Sequence, residues 1–83
     1  MDKVLVEVFV PVLNHSYDMF VPLRSPMYEV LELIKKAVQE VSDGRFIPNE
    51  NTTICHRADG TIININLSVY ELEIRNGDKL MLI

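Results

Sequence analysis

The 83 residues, 48% hydrophobic and 24% charged, suffice for one hydrophobic core and are too few for a core divided between lobes, so a single domain over residues 1–83 is expected. The net charge of −4, with Lys and Arg scattered along the chain, excludes broad attraction to nucleic acid or anionic lipid. No apolar run approaches the ~20 residues of a membrane span. Met1-Asp2-Lys3 lacks the basic start and apolar block of an export signal, so a cytoplasmic protein without membrane insertion is expected.

Lys3–Val10 alternates, with Val4, Val6, Val8 and Val10 on one face and Lys3, Leu5, Glu7 and Phe9 on the other, which predicts a strand whose valines enter the core. Pro11–Ser16 reads as a loop, because Pro11 cannot donate to a sheet and Asn14-His15-Ser16 is turn-like. A second strand, Tyr17–Leu23, puts Tyr17, Met19, Val21 and Leu23 opposite Asp18, Phe20 and Pro22, and the short connection predicts an antiparallel hairpin.

Ser25–Gly44 carries Met27, Val30, Leu31, Leu33, Ile34, Ala37, Val38 and Val41 on an arc of about 160° at helical period. An amphipathic helix follows, with Ser25 as N-cap, Pro26 in its first turn and Gly44 as the left-handed residue after its end. Beyond a loop at Arg45–Asn51, Thr52–Arg57 and Thr61–Ile65 read as short strands around the Asp59-Gly60 turn. Leu67–Leu72 reads as a helical turn with Leu67, Tyr70 and Leu72 inward, and Lys79–Ile83 as a closing strand after the turn at Asn76-Gly77-Asp78. A closing strand this apolar belongs in the middle of a sheet. Paired parallel with the first strand, it yields an α+β, β-grasp architecture: a mixed sheet of about five strands on one main helix.

Little of the chain suggests reaction chemistry. Cys55 and His56 are adjacent on a strand and so point to opposite faces, which spoils activation of the thiol. One cysteine can form neither an internal disulfide nor an iron–sulfur cluster, and neither His15, His56 nor Cys55 has metal-ligand spacing. Phosphate loops and paired catalytic carboxylates are also missing. The reading is therefore no catalytic residue, no cofactor, no metal and no enzyme.

Tyr17-Asp18-Met19-Phe20-Val21-Pro22, the helix after it, and the run from Leu67 to Leu82 containing Tyr70, Ile74 and Gly77-Asp78-Lys79-Leu80 resemble the small ubiquitin-like proteins of the YukD/EsaB type, accessories of type VII (ESX-like) secretion in Gram-positive bacteria. Glu71-Leu72-Glu73 stands between Tyr70 and Ile74, where that family has the shorter Tyr-Gly-Ile. Conjugated and sulfur-carrying members of the wider group act through a flexible C-terminal Gly-Gly, whereas this chain ends Leu80-Met81-Leu82-Ile83. The resemblance thus implies a non-conjugated adaptor that binds a protein partner in a secretion machine. A modifier matured from a longer precursor and a structural oligomerisation domain are the alternatives.

If the valines face the helix, then Leu5, Phe9, Phe20, Met81 and Ile83 lie on the other side of the sheet, interrupted by Glu7, Asp18 and Lys79. Apolar surface of that kind marks an interface with a protein partner, and a homodimer is one form it can take. The resemblance extends ubiquitin's recognition face to this chain only as far as Ile83.

Overall fold

The computed structural model describes residues 2–83. Strands β1 (Lys3–Val10) and β2 (His15–Pro22) form an antiparallel hairpin, the helix α1 (Met27–Val41) crosses the sheet, and β3 (Ile54–His56) and β4 (Asp78–Leu82) complete it in the order β2-β1-β4-β3. β4 pairs parallel with β1 and antiparallel with β3. The result is a mixed sheet packed on one main helix.

The alternation in β1 does what its pattern dictates. Val6, Val8 and Val10 are fully buried, and Val4 nearly so, against Met27, Val30, Ile34 and Val38 of α1, with Leu80 and Leu82 of β4 in the same core. Phe46, Ile63, Val69 and Ile74 close it from the loops. At the edge of the helical stripe, Leu33 and Val41 are more than half exposed, so the buried arc is narrower than their counting predicts.

Both ends of α1 differ from expectation. Pro26, not Ser25, is the N-cap and makes no side-chain cap bond. The first free N–H groups are met from outside the helix: Met27 N–H donates to the Leu67 carbonyl at 2.8 Å and Tyr28 N–H to the Ile65 carbonyl at 2.9 Å. At the other end Gly44 is left-handed as expected (φ 77°), but C′ is Asp43, which precedes it and is left-handed too (φ 54°). Asp43 N–H bonds the Glu40 carbonyl and Gly44 N–H the Gln39 carbonyl, which is a Schellman arrangement.

The sheet has four strands rather than about five, because residues 61–65 do not form one. Cys55 and Ile62 make a single bridge, with His56 N–H donating to the Thr61 carbonyl and Ile63 N–H to the Ile54 carbonyl. Beyond it the chain leaves the sheet, and the carbonyls of Ile65 and Leu67 turn to cap α1. Capping the helix competes for the same backbone that a fifth strand would use. Further on, Ser68 and Glu71 form a capping box, Ser68 N–H to Glu71 Oε1 at 2.9 Å and Glu71 N–H to Ser68 Oγ at 3.0 Å. Val69 rather than Tyr70 enters the core there, and Tyr70 is 62% exposed beside the Arg24 guanidinium.

Candidate functional site

The strand registers decide which residues share the face opposite α1. Leu5 is directly opposite Phe20, Glu7 opposite Asp18, and Phe9 opposite Ser16 across the hairpin. On the parallel side Glu7 is level with Lys79 and Phe9 with Met81, and Met81 is in turn opposite Cys55. Three rows result. Phe20 and Leu5 form one, Asp18, Glu7, Lys79 and Arg57 a charged second, and Phe9, Met81 and Cys55 a third.

Leu5 and Phe20 are thus brought together as a cross-strand pair, with Phe20 66% exposed and Leu5 half-buried. Phe9 and Met81 are also neighbours, but the charged row separates them from Phe20. Ile83 is 51% exposed at the end of the face, where it lines an open groove of about 520 Å³ with Pro11, Val12, Phe46 and Ile47. The five residues therefore form two apolar patches and an outlying side chain rather than one continuous surface.

Phe9 is not bare. The Arg57 guanidinium sits 4.1 Å from its ring centroid, and Arg57 Nη1 donates to Glu7 Oε2 at 3.0 Å. The Arg57 N–H, donating to the Lys79 carbonyl at 3.1 Å, holds the residue at the edge of β4 and so fixes where its side chain can reach. Sequence reasoning missed Arg57, because its place over Phe9 follows from two strand registers and from no local pattern. Asn76 was also missed as a structural residue. Its Oδ1 accepts the Leu5 N–H at 2.7 Å, two residues before β4 begins its pairing with β1 at Asp78, and Gly77 N–H donates to the Leu5 carbonyl at 2.8 Å.

Cys55 is fully buried, and its Sγ donates to the Met81 carbonyl at 3.5 Å. Burial, with a smaller contribution from the Asp59 carboxylate, pushes its thiol pKa up, away from the thiolate that nucleophilic chemistry uses. His56 is half-buried on the neighbouring position, and His15 opens β2 with its ring 4.6 Å from that of Tyr17. Among the described residues no three His, Cys, Asp or Glu side chains are grouped to hold a metal ion, and no helix is long and apolar enough to cross a membrane.

Comparison with solved structures identifies the architecture. The chain superposes on the ubiquitin-like domain of the Mycobacterium tuberculosis type VII secretion system protein EccD1 with a TM-score of 0.79 at 15% identity, covering 100% of this chain and 99% of that one. The EccD5 ubiquitin-like domain from Mycobacterium xenopi gives 0.70 at 21% identity, over 100% and 94%. The ubiquitin of Caldiarchaeum subterraneum gives 0.69 at 15% identity, over 96% and 90%. The fold is therefore the ubiquitin-like β-grasp. The chain also matches a component of the ESX-5 inner membrane complex, of which it spans 21% of the length, at a TM-score of 0.73 and 16% identity. Neither the family models nor the curated proteins gave a match.

Proposed function

We propose that this chain is a non-conjugated ubiquitin-like adaptor of the YukD/EsaB type, which binds a protein component of a type VII secretion machine in the cytoplasm and catalyses no reaction. The observation that carries the proposal is the open sheet face, on which Phe20, 66% exposed, stands beside Leu5 with no element of the described chain packed over it. A large aromatic group in that position loses apolar burial for as long as the face stays empty, and aromatic anchors beside polar groups are what protein interfaces are built from. The shape shared with EccD ubiquitin-like domains over nearly their whole length supports the choice of machine.

Phe20→Asp tests it. Phe20 is a cleaner position than Phe9, whose ring also supports Arg57. Co-purification of the tagged chain with the inner-membrane complex of its own type VII system should be lost in Phe20→Asp and kept in Tyr28→Asp, which changes an exposed tyrosine on α1, on the other side of the sheet. Equal recovery with both variants would contradict the proposal.

A further inference from the structure

We infer that the outer edge of β2 takes one more antiparallel strand, an extended segment of the protein partner in which apolar residues alternate with Lys or Arg. The inference rests on reading the Phe20 face as protein-binding and adds the form and charge of the segment bound.

Backbone direction identifies the edge. On β1 both polar groups of Leu5 are committed towards β4, its N–H to Asn76 Oδ1 and its carbonyl to the Gly77 N–H. Successive residues of a strand turn their backbone groups to alternate sides, so Leu5, Glu7 and Phe9 face β4 while Val4, Val6, Val8 and Val10 face β2. In an antiparallel ladder, residues directly opposite each other exchange both hydrogen bonds or neither. Val21, Met19, Tyr17 and His15, opposite the valines, therefore bond β1. Phe20, Asp18 and Ser16 turn their N–H and carbonyl groups outward. β2 is the last strand of the sheet on that side, and these groups make no backbone hydrogen bond to another part of the described chain. Three residues spaced about 7 Å apart thus offer a donor and an acceptor each, a pattern that an extended backbone matches and a helix does not. Antiparallel pairing is the stabler of the two per residue.

The side chains along the edge say what the segment carries. Phe20 and Asp18 are exposed on the open face, and Met19 and Tyr17 are half-buried on the core face. A strand laid alongside sends alternate residues to each face. Those on the core side extend the apolar margin of Met19 and Tyr17. On the open side Asp18 lies directly opposite Glu7, and like charges so placed repel. Glu7 is compensated by Arg57, whereas among the described residues no cation pairs with Asp18. A Lys or Arg on the incoming strand supplies that cation, and its stem lies along the Phe20 ring. Pairing β2 edge to edge with a second copy does the opposite, because it brings another Asp18 and β2 contains no Lys or Arg.

The probe is a capped peptide of about seven residues that alternates valine and lysine. Added to the isotopically labelled chain up to about 5 mM, it should move the Ser16, Asp18 and Phe20 amide signals downfield and slow their exchange, with Tyr28 on α1 unmoved. Methylating the lysine backbone nitrogens, which face β2 in an antiparallel pair, should abolish these changes, and methylating the valine nitrogens, which face away, should leave them. Asp18→Lys should weaken binding about three- to fivefold and make a valine–glutamate peptide the better ligand. No response at the three amides overturns the inference, as does a response that survives methylation of the lysines or is equal in Asp18→Lys. If the peptide leaves the edge untouched and Phe20→Asp still costs the chain the secretion complex, the added strand is wrong and the binding face stands. If the peptide docks as described and Phe20→Asp keeps the complex, the edge stands and the proposed machine is wrong.

Discussion

Arg57 lies with its guanidinium 4.1 Å from the ring centroid of Phe9, tied at 3.0 Å to Glu7 two residues earlier on the same strand. The contact closes over one of the two apolar patches of the open face and leaves the other, at Leu5 and Phe20, uncovered. Both side chains of the ion pair remain more than a quarter exposed, so the pair itself contributes at most about 1 kcal/mol, and the stacking a similar amount. Arg57→Ala should lower the stability by about 1 kcal/mol in urea unfolding. Arg57→Lys should recover only part of this, since an ammonium has no plane to stack.

Glu73 sits in the left-handed region at φ 57°, immediately before the buried Ile74. Its N–H donates to the Tyr70 carbonyl and that of Ile74 to the Val69 carbonyl, so it is the C′ residue of a one-turn Schellman ending. A residue with a Cβ pays roughly 1–2 kcal/mol for this conformation. Glu73→Gly should stabilise the protein by about 1 kcal/mol and raise Tm by about 4–8 °C, read by thermal unfolding.

Core and surface positions on α1 should part sharply. Met27 is fully buried whereas Leu33 is mostly exposed, although both belong to the apolar arc counted from sequence. Met27→Ala should cost about 2–5 kcal/mol and Leu33→Ala less than about 0.5 kcal/mol, measured by chemical denaturation.

Asn76 caps a strand it does not belong to. With its Oδ1 removed, the Leu5 N–H loses its acceptor at 2.7 Å. Asn76→Ala should cost about 1 kcal/mol and speed hydrogen exchange at the Leu5 amide, while Asn76→Asp should retain most of the protection.

Stability should fall at both pH extremes for identifiable reasons. The Thr61 N–H holds the Asp59 carboxyl below its usual range, and the Ser68 N–H does the same for Glu71. Carboxyls with lowered folded-state pKa stabilise the fold above their unfolded pKa and lose that contribution as pH falls through the folded one, so the acid decline should begin below about pH 4. Cys55 has the opposite sign. Its raised pKa makes its contribution complete below the unfolded value and lost as pH rises through the folded one, which places an alkaline decline above about pH 8.5. Equilibrium unfolding across pH should show Asp59→Asn and Glu71→Gln flattening the acid limb and Cys55→Ala the alkaline one.

The fold was legible wherever a residue's role depends on its near neighbours. The valine alternation of β1 and the stripe of α1 gave the sheet, the helix and the parallel placement of the last strand, because period and burial are coupled within a few residues. Residues 61–65 read as a strand because their isoleucines suit one. What takes them out of the sheet is the demand of Met27 and Tyr28 for carbonyl acceptors, which only the assembled fold reveals. The same holds for the candidate site. Leu5, Phe9, Phe20 and Met81 were assigned to the open face from alternation alone, but the lid made by Arg57 and the charge order of the middle row depend on the β1–β4 and β3–β4 registers. Alternation assigns a residue to a face without fixing what lies across the strand from it.

The most direct test is to follow the isotopically labelled chain by NMR while the type VII inner-membrane complex proposed as its partner, solubilised in detergent, is added. Signals of Leu5, Phe20 and Lys79 on the open face should broaden or shift first, with Tyr28 and Leu33 on the outer side of α1 unchanged. Perturbation confined to Tyr28 and Leu33 would contradict a binding role for the sheet face.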